Sequence, residues 1–381
     1  MYSDLAPYYH RWYHERPVLI GEARRAELRR MHTVMLACVR HLVNVWQDFL
    51  PLGGREREIL HEQARYPFRA GTWRPDYIIT PDGELKICEI TSRFFAHGIF
   101  MSWFGREFIK RRFPGVELRD DFSAMMSRML EITSGKSRIF VFKSVDKTSE
   151  IRLYERFYAS AGLPLTVIQT PEIVARRSEW DCPDCFLISA MNQMDIMALP
   201  DSVLQAMMAR GMYSDFRNVF LIHDKRFMGL WYDDGFTSGC LSPEDTAFLR
   251  AHAIPTFMAR DYVGMALKDK DSWILKPCRL GKSEGVSAGV LTSSCKWRAL
   301  LRDPGDSIIQ PFLPQKTWST VWEGKAYDDY LCGMMLCVDD EYFESGFFRC
   351  SSLPVTNIGD DRKAAVLYGD NPALEPYCDV L

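Results

Sequence analysis

Across residues 22–49, Leu28, Met31, Met35, Cys38, Leu42 and Val45 return at steps of three and four, with arginines on the other side. That spacing predicts one long amphipathic helix, stopped by Pro51 and the pair Gly53-Gly54. The rhythm then shortens. Tyr77-Ile78-Ile79 and the run from Leu85 to Ile90 flank Thr80-Pro81-Asp82-Gly83, which reads as two strands around a tight turn. A second helical stretch ends near Ser134. After it, short apolar runs at 138–142, 164–169 and 185–189 surround an amphipathic helix over 149–161, the pattern of βαβ units on a small parallel sheet. Further on, strands are predicted over 219–222, 273–276, 307–312, 331–338 and 342–349. A helix over 242–253 opens with Ser242 as N-cap and Pro243 at its first position. The fold class is therefore mixed α/β (α+β), in three stretches: a helical region 1–70, a hairpin with an α/β domain 71–215, and a strand-rich region 216–381.

Composition narrows the classes. The 381 residues carry 47 basic and 50 acidic side chains, a net charge of −3, which excludes a strongly basic nucleic-acid binder as the default. With 47% apolar and 25% charged residues the chain is neither disordered nor membrane-like, and no apolar run reaches the length of a membrane span. The first 21 residues are rich in tyrosine and histidine and lack an apolar leader core, so a cytoplasmic address is expected. Eleven cysteines, an odd count spread along the chain, read as reduced and mostly buried thiols. Cys182-Pro183-Asp184-Cys185 has no second pair to complete a four-ligand zinc site, and neither zinc nor a redox dithiol is expected there.

Candidate chemistry gathers in a few places. Trp273-Ile274-Leu275-Lys276-Pro277 puts a lysine inside an apolar strand, awkward unless its charge meets an anion. A loop with Gly281, Lys282 and Gly285 follows, and glycines let backbone N–H groups approach a phosphate closely. A P-loop is not formed, because Lys276 stands where its first glycine belongs. Gln310, just before Pro311, can present an amide to a flat base, or simply end a strand. Asp76 and Glu89 lie on the two arms of the hairpin. Adjacent carboxylates suit Mg²⁺ held with substrate phosphates, although a solvated hairpin would carry acids there too.

The lysine strand, the glycine loop, Ser307-Ile308-Ile309-Gln310-Pro311-Phe312, the segment Arg74-Pro75-Asp76 with Glu89-Ile90-Thr91, and Asp224-Lys225-Arg226-Phe227 resemble the ATP-grasp superfamily in order and approximate spacing. So do Phe348-Arg349 and Val355-Thr356-Asn357, and the chain resembles especially the circularly permuted branch that includes glutathionylspermidine synthase. The resemblance spans about residues 74–357. It implies two lobes with ATP between them, the hairpin belonging to a part that precedes the nucleotide lobes. It also implies Mg²⁺ on Asp76, Glu89, Thr91 and Asn357. Lys225 and Lys276 would hold the α- and β-phosphates, Lys282 would cover them, and Gln310 would face the nucleotide. Arg74 and Arg349 would stabilise the carboxylate and the transferring group. The implied activity is an ATP-dependent carboxylate–amine ligase acting through an acyl phosphate on a small amino acid or peptide-like substrate. Its partners are a small carboxylate and a small amine, with no nucleic acid and no membrane. The alternative is a degenerate nucleotide-binding relative without turnover. Two departures bear on that alternative: Thr91 replaces the family's asparagine, and Gly359-Asp360-Asp361-Arg362-Lys363 replaces a glycine-rich stretch.

Overall fold

The computed structural model describes all residues except 1, 3, 94, 96, 117–120, 146–149, 282, 357–361 and 370–378, and leaves out the side chains of 379–380. Lys282 and Asn357 thus lie outside the described residues. The long helix is found over Glu22–Phe49 and the hairpin over Thr72–Ile79 and Leu85–Thr91, in antiparallel register.

The hairpin is one end of a nine-stranded sheet. Thr72–Ile79 also pairs with the long strand Lys325–Val338, which pairs with Phe347–Ser351, and that strand pairs with Arg362–Tyr368. Val18–Ile20 then runs parallel to the last of these. The sheet therefore draws on the N-terminal, middle and C-terminal stretches of the sequence. Alternation sends Trp73, Tyr77, Met335, Cys337 and Phe348 to one face, against Met31, Met35, Cys38 and Trp46 of the long helix. Met334, Leu336, Phe347 and Ala365 go to the other face, against Ile99, Phe100 and Phe104 of the helix Ile99–Arg112. Gly98, at φ 104°, turns the chain into that helix, and its N–H donates to buried Glu150 at 2.9 Å.

Two smaller sheets complete the molecule. Leu165–Gln169, Arg138–Lys143 and Cys185–Ala190 form the expected parallel sheet. Phe257–Met258, Ser307–Pro311, Trp273–Pro277 and Ser287–Ala288 form an antiparallel sheet with its own core of Ala259, Ala266, Leu275, Trp297, Leu301 and Ile309. The helix Pro243–His252 starts as read, with Ser242 Oγ accepting from the Asp245 N–H.

Three expectations fail. Residues 219–222 are not a strand but part of a π-helical turn, Asn218–Ile222, closed by the His223 N–H on the Asn218 carbonyl at 2.8 Å. All five residues are buried, and a short apolar run buried on every side carries no period to separate strand from helix. Residues 342–349 are two strands, Glu341–Glu344 and Phe347–Ser351, broken at Ser345-Gly346. Finally, Cys182 and Cys185 are joined as a disulfide, whereas the other eight described cysteines are free. Among the described residues no helix is long and apolar enough to cross a membrane.

Candidate active site

A cleft of about 670 Å³, mouth included, opens between the nine-stranded sheet and the four-stranded sheet. Asp76, Cys88, Glu89, Cys332 and Arg349 line one wall, and Ile274, Lys276, Ser283 and Gln310 the other. Five of the residues singled out from sequence, Asp76, Glu89, Lys276, Gln310 and Arg349, are therefore brought together. Strand alternation accounts for this. Asp76 sits opposite Glu89 in the hairpin and opposite Met334 on the long strand, while Cys332 is opposite Arg349. In the small sheet Leu275 and Ile309 are partners in the core, which turns Ile274, Lys276 and Gln310 toward the cleft.

The cleft's acids are already matched by cations. Asp76, 2% exposed, takes Arg74 at 2.8 and 3.1 Å and Arg349 at 2.7 Å. Lys225 lies 3.1 Å from Glu89 and also donates to the Leu280 carbonyl. Its backbone N–H reaches the Cys278 carbonyl at 2.9 Å, tying Asp224-Lys225-Arg226 to the start of the glycine loop. Burial pushes the Glu89 carboxyl up, but Lys225, Lys276 and His223 outweigh it and hold the group down at about 2. Lys276 Nζ donates to the Cys88 carbonyl at 3.0 Å, bridging the two walls.

Gln310 is fixed differently. The Thr256 hydroxyl donates to the Ile254 carbonyl at 3.0 Å, so it accepts from Gln310 Nε2 at 2.8 Å. That choice leaves Gln310 Oε1 as a buried acceptor with no partner among the described residues, on a side chain that lines the cleft. Such an orphan acceptor fits the amino group of an adenine. Asp76 and Glu89 are hard oxygen donors and fit Mg²⁺.

Two other candidates extend beyond the main cleft, Arg74 while still bonded to Asp76. Thr91 and Arg74 line a second, smaller cavity with His97, on which the Arg74 guanidinium also rests, so Thr91 is not among the groups lining the main cleft. Sequence reasoning missed Cys88 and Cys332, which carry no motif, and Thr256, whose effect passes through Gln310. It also missed Arg279, which links Glu56 on the helix Gly54–Gln63 to Asp306 at 3.0 and 3.1 Å. His223 is fully buried and held neutral, at about 3, by burial and by neighbouring Lys225.

The comparisons with known proteins agree with this architecture. The family model of the AnkG N-terminal domain matches residues 31–221, half of the chain. An ATP-grasp enzyme, ankG, of Aspergillus thermomutatus is 22% identical over 82% of this chain and 78% of its own length. A glutathione synthetase-like effector from Globodera pallida, solved in its apo form, superposes with a TM-score of 0.56 at 10% identity, covering 93% of this chain and 90% of its own. The chain thus has a mixed α/β fold of the glutathione synthetase-like ATP-grasp type, and it belongs to the AnkG N-terminal domain family as a homologue of an ATP-grasp enzyme.

Proposed function

We propose that this protein is an ATP-dependent carboxylate–amine ligase that forms an amide through an acyl phosphate. The observation that carries the reading is the meeting, in one cleft between two sheets, of Asp76, Glu89, Arg349, Lys276 and Gln310. The substrate carboxylate attacks the γ-phosphorus of ATP, the bond to the bridging oxygen breaks, and ADP leaves. The amine then attacks the acyl carbon, phosphate leaves, and the amine proton passes to solvent or base. Gln310 orients the base, and Lys276 and Lys225 meet the phosphates once released from their backbone carbonyls. Arg349 and Arg74 steady charge at the reacting end. Asp76 and Glu89 would hold Mg²⁺, which supplies charge neutralisation there when bound. No side-chain nucleophile is needed, because positioning and electrostatics carry the barrier.

Two observations favour a second reading, nucleotide binding without turnover. Asp76 is engaged by two arginines, and Thr91 stands away from the main cleft. The deciding experiment supplies MgATP, pooled carboxylic acids and hydroxylamine, which traps an acyl phosphate as a hydroxamate. A hydroxamate that needs both ATP and Asp76 supports the ligase and names the acid. Binding of MgATP without ADP release from any pool favours the second reading.

A further inference from the structure

Arg279, the second residue after the Trp273–Pro277 strand, lies where three separate segments of the chain bring carboxylates together. Its guanidinium grips Glu56 with two nitrogens, at 3.0 and 3.2 Å. It reaches Asp306, just ahead of the Ser307–Pro311 strand, at 3.1 Å, and its Nε lies 3.9 Å from Asp224. Glu56 and Asp224 are both buried, so these contacts are not screened as surface ion pairs are. A planar fork meets several carboxylates at once, which a lysine point charge does not. The residues on either side of Arg279 hold Lys225 from both ends. The Cys278 carbonyl accepts the Lys225 backbone N–H at 2.9 Å, and the Leu280 carbonyl accepts its ammonium. The Cys278 N–H in turn donates to the Asp306 carbonyl at 2.9 Å. The turn around Lys225 is fixed internally, because Asp224 takes the Arg226 N–H at 2.9 Å and its guanidinium at 3.0 and 2.6 Å.

We infer that Arg279 is a positioning residue for the nucleotide, acting through Lys225. It pins residues 278–280, and they set the point from which the lysine reaches for a phosphate. When the ammonium leaves the Leu280 carbonyl, the backbone bond to Cys278 remains, so the base of the lysine stays where that carbonyl is. The place of the carbonyl is set by Arg279 on Glu56 and Asp306. Glu56 belongs to the helix Gly54–Gln63 and Asp306 to the four-stranded sheet, so the same side chain fixes one wall of the cleft against the helical part of the molecule. A misplacement of about 1 Å at a charged contact is enough to lose much of its effect. The role toward phosphate rests on the proposed function, but the pinning of residues 278–280 does not.

The test is titration calorimetry of MgATP on the full chain, comparing the parent, Arg279→Gln, Lys225→Met and the double variant. Arg279→Gln should weaken MgATP about tenfold, and Arg279→Lys, which keeps the charge without the fork, should recover part of the loss. In the Lys225→Met background the same Arg279→Gln change should cost less than about twofold, because the group it positions is gone. No loss on Arg279→Gln overturns the inference. So does an equal loss with and without Lys225, since a merely structural arginine would weaken both backgrounds alike. Hydrogen exchange of the nucleotide-free protein judges the pinning separately. Arg279→Gln should speed exchange at the Lys225 and Cys278 amides several-fold and leave the strand Arg138–Lys143 unchanged. Unchanged exchange at those two amides overturns the pinning. If the parent does not bind MgATP, the nucleotide reading fails and the positioning role with it, while exchange still decides whether Arg279 pins the loop. Should Arg279→Gln fail to fold, Glu56→Gln, which leaves the Asp306 contact in place, should give the same pattern at smaller size, and its absence overturns the inference.

Discussion

The two walls of the cleft differ in how far their polar groups are already satisfied. On the nine-stranded sheet, Asp76 is held by Arg74 and Arg349, and Glu89 by Lys225. Further along the same strand as Cys332, Asp329 is held by Arg362 at 2.7 and 2.8 Å and by His14 at 3.0 Å. On the four-stranded sheet, Lys276 donates to a backbone carbonyl, and Gln310 Oε1 has no partner among the described residues. One wall neutralises itself and must exchange partners to take a metal and phosphates. The other wall has its hydrogen-bonding direction set and its acceptor free. A buried ion pair resists rearrangement because separating it exposes uncompensated charge, whereas an orphan amide oxygen gains from any donor that arrives.

The harshest way to break this contrast is Asp76→Asn. It keeps the shape but leaves two arginines facing a neutral amide. If Asp76 is the metal ligand proposed, ATP-dependent hydroxamate formation should fall on the order of 10³-fold, several kcal/mol of barrier. Loss of the buried partner should also lower stability by about 3 kcal/mol in urea unfolding. A stability loss with turnover unchanged would make Asp76 a structural ion-pair centre only.

Much of this wall was legible in the sequence, for a physical reason. Asp76 and Glu89 flank a turn that declares itself through Asp82-Gly83, and strand period fixes which residues face together. The same logic fails for Arg349 and Cys332, whose partnership depends on which distant strands become neighbours, a fact no local period encodes. It fails again at the π-helical turn Asn218–Ile222, where burial on all sides erases amphipathicity. Thr91 was placed by resemblance to a family pattern, and the cleft it was assigned to does not include it.

Acid should next loosen the same sheet away from the cleft. Burial raises the Asp329 carboxyl, but Arg362 and His14 outweigh it and hold it at about 2, below its ordinary 3.8. A carboxyl depressed on folding contributes stability above its unfolded pKa and loses it as pH falls toward the folded value. The window is therefore from about pH 4 to about pH 2, and the amount is about 2 kcal/mol, for a side chain with no solvent exposure. Urea midpoints measured from pH 5 downward should slope across that window in the parent protein and slope less in Asp329→Asn. Equal slopes would place the acid sensitivity elsewhere.

The smallest effect probes the other wall and sharpens the contrast most. Thr256 touches no proposed ligand, yet its hydroxyl decides which end of the Gln310 amide points into the cleft, because it spends its proton on the Ile254 carbonyl. An acceptor in that position favours a base bearing an amino group and repels one bearing a carbonyl. ATP and ITP differ at that group on the purine ring. The parent protein should therefore bind MgATP about tenfold more tightly than MgITP, the order expected when one buried acceptor faces another. In Thr256→Val the amide is free to turn, and the ratio should approach one mainly through stronger ITP binding; Thr256→Ser, which keeps the hydroxyl, should restore it. A merely structural threonine would weaken both nucleotides alike and leave their ratio unmoved. If the ratio stays near ten in Thr256→Val, base selection does not come from the free oxygen of Gln310, and the small sheet supplies only a surface for the base to lie against.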